Sequence, residues 1–238
     1  RRLSRLTVRI PPVEGRRRAL LDPLDRWWRP VSDVVLYATD TMSDWEYGHL
    51  LGGLALAERL GPGRFRVVTA GPGAGDRVRT VGGLVVQPST TLAELDRERI
   101  ALLVLPGART WGRGHQGVLG LAQELLAEGT PVAAIGEAAL GLARAGVLND
   151  RAHTGNSVGS LTAAAAYAGA DHWTGGHAVE DRDVITAPGS SPVSFARAVF
   201  ARLHLFPPAV LEAWYGLHTT GEQSFAEQLV VFEQQRST

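Results

Sequence analysis

The sequence predicts an α/β fold in which a doubly wound, mostly parallel sheet carries helices on both of its faces. From Asp33 onward, short apolar runs alternate with segments of helical periodicity. Apolar runs that are continuous indicate strands covered on both faces, as in parallel sheets. The length of 238 residues suits one large domain, and the 45% content of hydrophobic residues supports a substantial core.

The predicted elements follow one another at regular intervals. The first predicted helix is amphipathic and is ended by Gly61 and Pro62. The glycine-containing stretch "RVRTVGGLVV" indicates a hairpin. The predicted strands are 34–39, 64–70, 84–89, 101–107, 131–135 and 183–187. The predicted helices are 46–60, 91–98, 115–128, 137–145, 158–168, 192–203 and 207–216.

This alternation also predicts where a ligand binds. In an open parallel sheet, the ligand site lies at the carboxyl ends of the strands, near the point where the strand order reverses. The loops that follow residues 39, 70, 107 and 135 are therefore expected to surround one crevice.

Composition excludes several kinds of chemistry. The chain contains no cysteine, so disulfides, thiolate nucleophiles and cysteine-ligated metals are excluded. All 24 basic residues are arginines, which excludes lysine bases and Schiff bases and favours a GC-rich bacterial source such as an actinobacterium. The net charge of zero argues against nucleic-acid binding. No apolar run reaches the roughly 18–20 residues of a membrane span.

The first 30 residues differ in charge from the rest of the chain. They hold nine arginines against three acidic residues, a net charge of +6 that the remainder balances. We expect a basic arm over residues 1–30 before a domain over 31–238. Trp27 and Trp28 either dock this arm on the domain or on a second subunit, or are ordinary packing residues without a docking role. No apolar segment follows the initial arginines, so a cytoplasmic protein is expected.

Three further motifs favour structural interpretations. "GPGAGD" (71–76) is a turn rather than a phosphate-binding loop, because no helix opens behind it. "GNSVG" (155–159) has the nucleophile-elbow spacing but no apolar strand before it, so Ser157 or Asn156 is expected to cap a helix. His172 and His177 lack carboxylates at ligand spacing, so a surface loop is expected and no metal site.

Two segments remain as candidates for chemistry. "PVAAIGEAALGLARAG" (131–146) is typical of a strand, a sharp turn and a helix, with Gly136 at the turn. "TDTMSDWEYG" (39–48) leaves the first strand and carries Asp44 and Glu46 into a helix. Carboxylates in a first helical turn are commonly electrostatic stabilisers, but Glu46 is also expected at the same strand ends as Gly136.

Six blocks of the chain, over about residues 33–220, resemble the DJ-1/PfpI superfamily, a branch of the class I glutamine amidotransferase-like fold. Their order and spacing agree with that family, and the last block is similar to a bacterial amidotransferase-like subgroup. The blocks are "DWE" (44–46), "VGGLVVQPSTTLAEL" (81–95), "LLVLPGARTW" (102–111), "PVAAIGEAALGLARAGVLNDRAHTGN" (131–156), "VITAPGSSPVSFARAV" (184–199) and "PAVLEAWYGLHTTGE" (208–222).

The resemblance implies a flavodoxin-like sheet, frequent dimerisation and a cysteine at the elbow that hydrogen-bonds a glutamate. In this sequence the cysteine position falls on Gly136 and the glutamate on Glu46. Activities of the family that pass through a thiohemiacetal or thioester are therefore not available. The family pattern also assigns an oxyanion-facing backbone to Gly107, Ala108 and the N–H of Glu137.

Further side chains complete the expected site. His153 matches the family block that approaches from the side and is expected to orient the substrate, and Asp44 and Trp111 are expected to contact substrate. Loss of the side chain at position 136 is expected to keep the turn and to enlarge the pocket beside Glu46. Glu137 either forms an acid/base pair with Glu46 or points to solvent and stabilises its helix end.

Three hypotheses for function follow. The first is a cofactor-free enzyme of lyase, hydratase or isomerase type that acts in bacterial secondary metabolism. Glu46 is its general acid/base, and no thiol intermediate forms. The second is a non-catalytic protein that binds a metabolite or regulates a partner. The third is a glyoxalase- or amidotransferase-like cysteine enzyme whose nucleophile has been replaced. All three imply a small-molecule ligand and a homodimer, without cofactor or metal.

Overall fold

The computed structural model describes residues 31–60, 63–73 and 75–236. Its main sheet has seven strands in the order β5-β2-β1-β6-β7-β9-β8, and every neighbouring pair is parallel except β8 and β9. A separate antiparallel hairpin joins β3 and β4. The strands are β1 (Ser32–Tyr37), β2 (Phe65–Gly71), β3 (Val78–Arg79), β4 (Val85–Val86), β5 (Thr90–Thr91), β6 (Ile100–Leu105), β7 (Val132–Ile135), β8 (Val179–Asp181) and β9 (Val184–Ala187).

Helices cover both faces of this sheet, so the predicted doubly wound α/β fold is confirmed. Successive residues of β6 alternate between two cores: Leu102 and Val104 pack on one face, and Leu103 and Leu105 on the other. The first core is completed by α1, α5 and α6, and the second by α2 and α3. The helices are α1 (Asp44–Leu60), α2 (Gln116–Ala127), α3 (Ala138–Arg144), α4 (Val158–Leu161), α5 (Pro192–Arg202), α6 (Pro208–Thr220) and α7 (Gln223–Arg236).

The structure departs from the predicted elements in several places, among them the strands β5 and β8, which were not predicted. The helix predicted over 91–98 is two short 3-10 turns, and the one over 158–168 stops after α4. Residues 162–169, which follow α4, form turns and irregular backbone, and Asn149 bonds this segment by donating to the Ala166 carbonyl and accepting from the Ala168 N–H. The C-terminal helix α7 was not predicted, since few of its side chains, among them Leu229 and Phe232, pack on the core.

Two further predictions concern the N-terminal arm and membrane-spanning segments. The basic arm, residues 1–30 with Trp27 and Trp28, lies outside the described residues. Among the helices that the structure describes, none has the length and apolar character needed to cross a membrane.

Strand order reverses at β1, whose neighbours are β2 on one side and β6 on the other. The chain therefore turns toward opposite edges of the sheet after β1 and β6, and a crevice opens between the loops that follow them. The loops after β7 and β9 adjoin the same region, because these strands are the next two in the sheet.

Candidate functional site

Glu46 lies at the centre of this crevice, in the first turn of α1. Its side chain is only 3% exposed, and its Oε2 accepts a hydrogen bond of 2.6 Å from the Gly107 N–H. The Gly107 carbonyl in turn accepts one of 2.9 Å from the Ser43 N–H. The loops after β1 and β6 are thus tied together through Gly107, and Glu46 is fixed by one of its two oxygens.

Three glycines from three different loops surround the Glu46 carboxylate. A Cβ on Gly107 would lie 2.5 Å from Oε2, and a Cβ on Gly189 would lie 2.5 Å from Oε1. A Cβ on Gly136 would also meet Oε1. The expectation that Gly136 leaves an enlarged pocket beside Glu46 is therefore wrong, because the carboxylate itself occupies that space.

Gly136 forms the sharp turn between β7 and α3. Its φ of +63° is in the left-handed region, and its N–H donates to the Ala187 carbonyl at 2.9 Å. A side chain at such a turn strains the backbone, whereas glycine adopts the conformation at little cost. The elbow predicted from the sequence is present, without a reactive side chain at its apex.

Burial raises the pKa of Glu46 from its ordinary value of 4.5 to about 7. The hydrogen bond from Gly107 lowers this pKa in part, and the negative charge of Glu137 raises it further. A carboxyl with a pKa near 7 exchanges protons readily in either direction at neutral pH.

Glu137 follows Gly136 at the start of α3 and is half-buried. Its Oε1 accepts a hydrogen bond of 3.0 Å from the amide of Asn156, which lies at the surface. The charge of Glu137 acts on Glu46, but the acid/base pair of the two carboxylates stays a prediction.

Gly189, Asn156 and Trp45 were not among the expected site residues. The Gly189 N–H donates to Asn156 Oδ1 at 2.9 Å, and the Gly189 carbonyl accepts from Trp45 Nε1 at 3.0 Å. Their signal in the sequence was that all three lie within the family-like blocks, Trp45 in "DWE" (44–46). Ser157, not Asn156, caps α4, because its Oγ accepts from the Ser160 N–H at 3.1 Å.

His153 is fully buried, and both of its ring nitrogens are bonded within the protein. Nδ1 donates to the Arg151 carbonyl at 2.7 Å, which leaves Nε2 as the acceptor of the Tyr167 hydroxyl at 2.8 Å. Burial lowers the pKa of His153, which favours this neutral ring. The expected role of His153 in orienting a substrate is not supported, since neither nitrogen is available to one.

Trp111, Ala108 and Asp44 all make contacts that support the loops of the site. Trp111 is fully buried, and its Nε1 donates to the Pro106 carbonyl at 2.8 Å. Ala108 is buried and pairs with Met42 in an isolated antiparallel bridge. Asp44 accepts a hydrogen bond of 2.6 Å from the Gly82 N–H and so binds the β3–β4 hairpin to α1.

The Gly107 N–H is also not free to face an oxyanion, because it already donates to Glu46. Among the described residues, no group of three or more histidine, aspartate or glutamate side chains is placed to hold a metal ion. His177, which was expected in a surface loop, forms a hydrogen bond of 3.1 Å between its Nδ1 and Ser191 Oγ.

A buried glutamate after the first strand, facing a strand–turn–helix elbow at the switch point of a doubly wound sheet, defines a class of α/β proteins. The chain belongs to the DJ-1/PfpI family, whose model matches residues 32–202. The family predicted from the six sequence blocks is thereby confirmed.

Known relatives cover most of the chain. It is 37% identical over 207 residues to an uncharacterized protease, YoaZ, of Bacillus subtilis, which covers 83% of this chain and 95% of the relative. A ThiJ/PfpI family protein of Bacillus anthracis is 34% identical, with a TM-score of 0.78 over 85% of this chain and 98% of that one. A DJ-1 superfamily protein of Agrobacterium tumefaciens is 37% identical, with a TM-score of 0.68 over 79% and 99% of the two chains.

Proposed function

We propose that this DJ-1/PfpI protein is a cofactor-free enzyme that acts on a small organic molecule, with Glu46 as general acid/base. The observation that carries the proposal is the burial of Glu46, which brings its pKa to about 7 beside the elbow. The name of one relative includes protease, but a protease that uses a thiol is not available here because the chain has no cysteine.

In this proposal the two oxygens of Glu46 have two different tasks. Oε2 is anchored by the Gly107 N–H, while Oε1 is directed at Gly136 and Gly189. In the proposed reaction, Oε1 removes a proton from water or from carbon and returns it to another atom of the same substrate. Hydration, elimination and isomerisation proceed in this way without a covalent bond to the protein.

Glu46→Gln tests the proposal. Glutamine has nearly the same shape and still accepts the Gly107 hydrogen bond, but it does not take up or release the catalytic proton. We expect turnover to be abolished when a panel of small carbonyl compounds and isonitriles is followed by NMR. Glu137→Gln is the matched control and should retain turnover with a shifted pH optimum. Full activity of Glu46→Gln would contradict the proposal.

A second candidate is a metabolite-binding protein without catalysis. It is favoured by the closure of the site, since the carboxylate of Glu46 fills the space at the elbow and is almost completely buried. In this case the same panel gives no turnover, whereas one or more metabolites raise the melting temperature of the protein.

A further inference from the structure

We infer that Asn156 is a positioning residue for the Glu46 site: one amide group holds Glu137 beside Glu46 and ties the loop after β9 over the same carboxylate. The inference rests on the proposed function, because a positioning role has meaning only if Glu46 acts on a ligand. It concerns a residue that touches neither Glu46 nor the elbow glycine by hydrogen bond, and acts through its neighbours.

The two polar atoms of the Asn156 amide serve two different loops. Nδ2 donates to Glu137 Oε1 at 3.0 Å, and Oδ1 accepts from the Gly189 N–H at 2.9 Å. Glu137 belongs to the elbow after β7, whereas Gly189 belongs to the loop after β9. Asn156 therefore links the two loops that enclose Oε1 of Glu46.

Asn156 is itself held in place by the buried segment before it. The Thr154 N–H donates to Thr186 Oγ1 at 2.9 Å, and Thr154 is almost completely buried beside β9. A Cβ on Gly155 would lie 3.1 Å from the Ala139 side chain, so the backbone is packed closely against α3. Although Asn156 lies at the surface, the backbone directly before it is fixed by these contacts.

The Gly189 loop is held from the opposite side by Trp45. Its indole N–H donates to the Gly189 carbonyl at 3.0 Å, although the side chain is 53% exposed. Gly189 thus bonds Asn156 through its N–H and Trp45 through its carbonyl, directly against Glu46 Oε1. Loss of Asn156 leaves Gly189 with the hydrogen bond from Trp45 and without the one to Asn156, and lets water approach the carboxylate.

Both consequences of losing Asn156 lower the pKa of Glu46. Among the described residues, the charge that acts on Glu46 is that of Glu137, and a released Glu137 carboxylate can turn toward solvent. Hydration of the opened loop also favours the charged form of Glu46. On α1 itself, Tyr47 and Asp44 are the neighbouring titratable groups, and burial followed by the charges of Asp44 and Glu46 raises the pKa of Tyr47 to about 12.

Direct titration of Glu46 tests this role without any substrate. The full chain is labelled with carboxyl-¹³C glutamate, and the Glu46 resonance is assigned by its loss in Glu46→Gln. We expect Asn156→Ala to lower the midpoint of Glu46 by about one pH unit. Asn156→Ser, whose hydroxyl cannot reach both Glu137 and Gly189, should also lower the Glu46 midpoint. It replaces the alanine variant if that variant folds poorly.

Asn149→Ala is the matched control. Asn149 also bridges two loop segments with one amide, donating to the Ala166 carbonyl at 2.9 Å and accepting from the Ala168 N–H at 2.8 Å, but beyond the far end of α3. Its loss removes a comparable pair of hydrogen bonds and should leave the Glu46 midpoint unchanged.

The outcomes separate this inference from the proposed function. An Asn156→Ala midpoint equal to that of the unmodified chain overturns the positioning role, whatever Glu46→Gln does to turnover. A midpoint lowered in Asn156→Ala but not in Asn149→Ala supports it. In a Glu137→Gln background, Asn156→Ala should shift the midpoint by less, because the part that acts through Glu137 is already removed.

Discussion

The Glu46 carboxylate is enclosed by glycine backbone from the loops after β6, β7 and β9, and this enclosure has two measurable effects. The first effect is on protonation, because burial of a carboxyl favours its neutral form. The second is on packing, because the carboxylate occupies the volume that any side chain at position 136 requires.

Protonation of Glu46 makes the stability of the protein depend on pH. Its pKa is raised from 4.5 in the unfolded chain to about 7 in the folded one, so the folded state binds the proton more tightly. The resulting stabilisation is complete below pH 4.5 and is lost as the pH rises to 7, by about 3 kcal/mol in total.

Glu46→Gln isolates that contribution from those of other groups. We expect the unfolding free energy of the variant, relative to the unmodified chain, to rise between pH 5 and pH 8 in urea titrations. A difference between the two proteins that stays constant over this range would show that Glu46 does not titrate near neutrality.

Packing at the elbow is tested by Gly136→Ala. The added methyl meets Glu46 Oε1 and forces a left-handed conformation on alanine, so we expect a loss of about 2–4 kcal/mol in unfolding free energy. Gly129→Ala is the control, since its φ is +80° and no atom lies within 4 Å of the added Cβ. The control should lose only the unfolding free energy due to the left-handed backbone, about 1–2 kcal/mol. Equal losses in the two variants would mean that the Glu46 side chain moves away from the added methyl without cost.

At the scale of elements, α6 and α7 are joined by close packing that the sequence pattern does not reveal. A Cβ on Gly216 would lie 2.5 Å from the ring of Phe225, so the first turns of α7 lie directly on the backbone of α6. The periodicity of α7 alone is weak, and its helix is stabilised by this contact together with Leu229 and Phe232.

Gly216→Ala should therefore destabilise the protein by about 1–3 kcal/mol, although alanine is the better helix former. Gly120→Ala on α2 is the matched change in a helix with no atom near the added methyl, and it should stabilise by up to about 1 kcal/mol. Thermal unfolding of the two variants shows whether each substitution stabilises or destabilises the protein. Stabilisation by Gly216→Ala would indicate that Phe225 moves aside without cost.

At the scale of the whole molecule, the homodimer implied by the family resemblance stays a prediction. Multi-angle light scattering of the full chain should give twice the mass of one chain at micromolar concentration. A mass of one chain that does not change on dilution or concentration would contradict it.

Much of the architecture follows from local pattern. Continuous apolar runs alternating with helical ones predict the parallel sheet, and the run 131–146 predicts the elbow with Gly136 at its turn. Errors fall where distant residues take part, as where Asn149 bonds the backbone of Ala166 and Ala168, which lie outside any helix. Local propensity does not contain such contacts, which depend on residues far along the chain.

The absence of thiol chemistry can be read from the amino-acid sequence, because cysteine is absent from the whole chain and glycine stands at the elbow. The strand order and the family resemblance also predict a glutamate near that elbow. Three features became visible only in the folded chain: Glu46 fills the space at position 136, both nitrogens of His153 are hydrogen-bonded, and Asn156 joins Glu137 to Gly189. The physical reason is that solvation and hydrogen bonding of a buried group depend on atoms from several loops, which meet only after the sheet has formed.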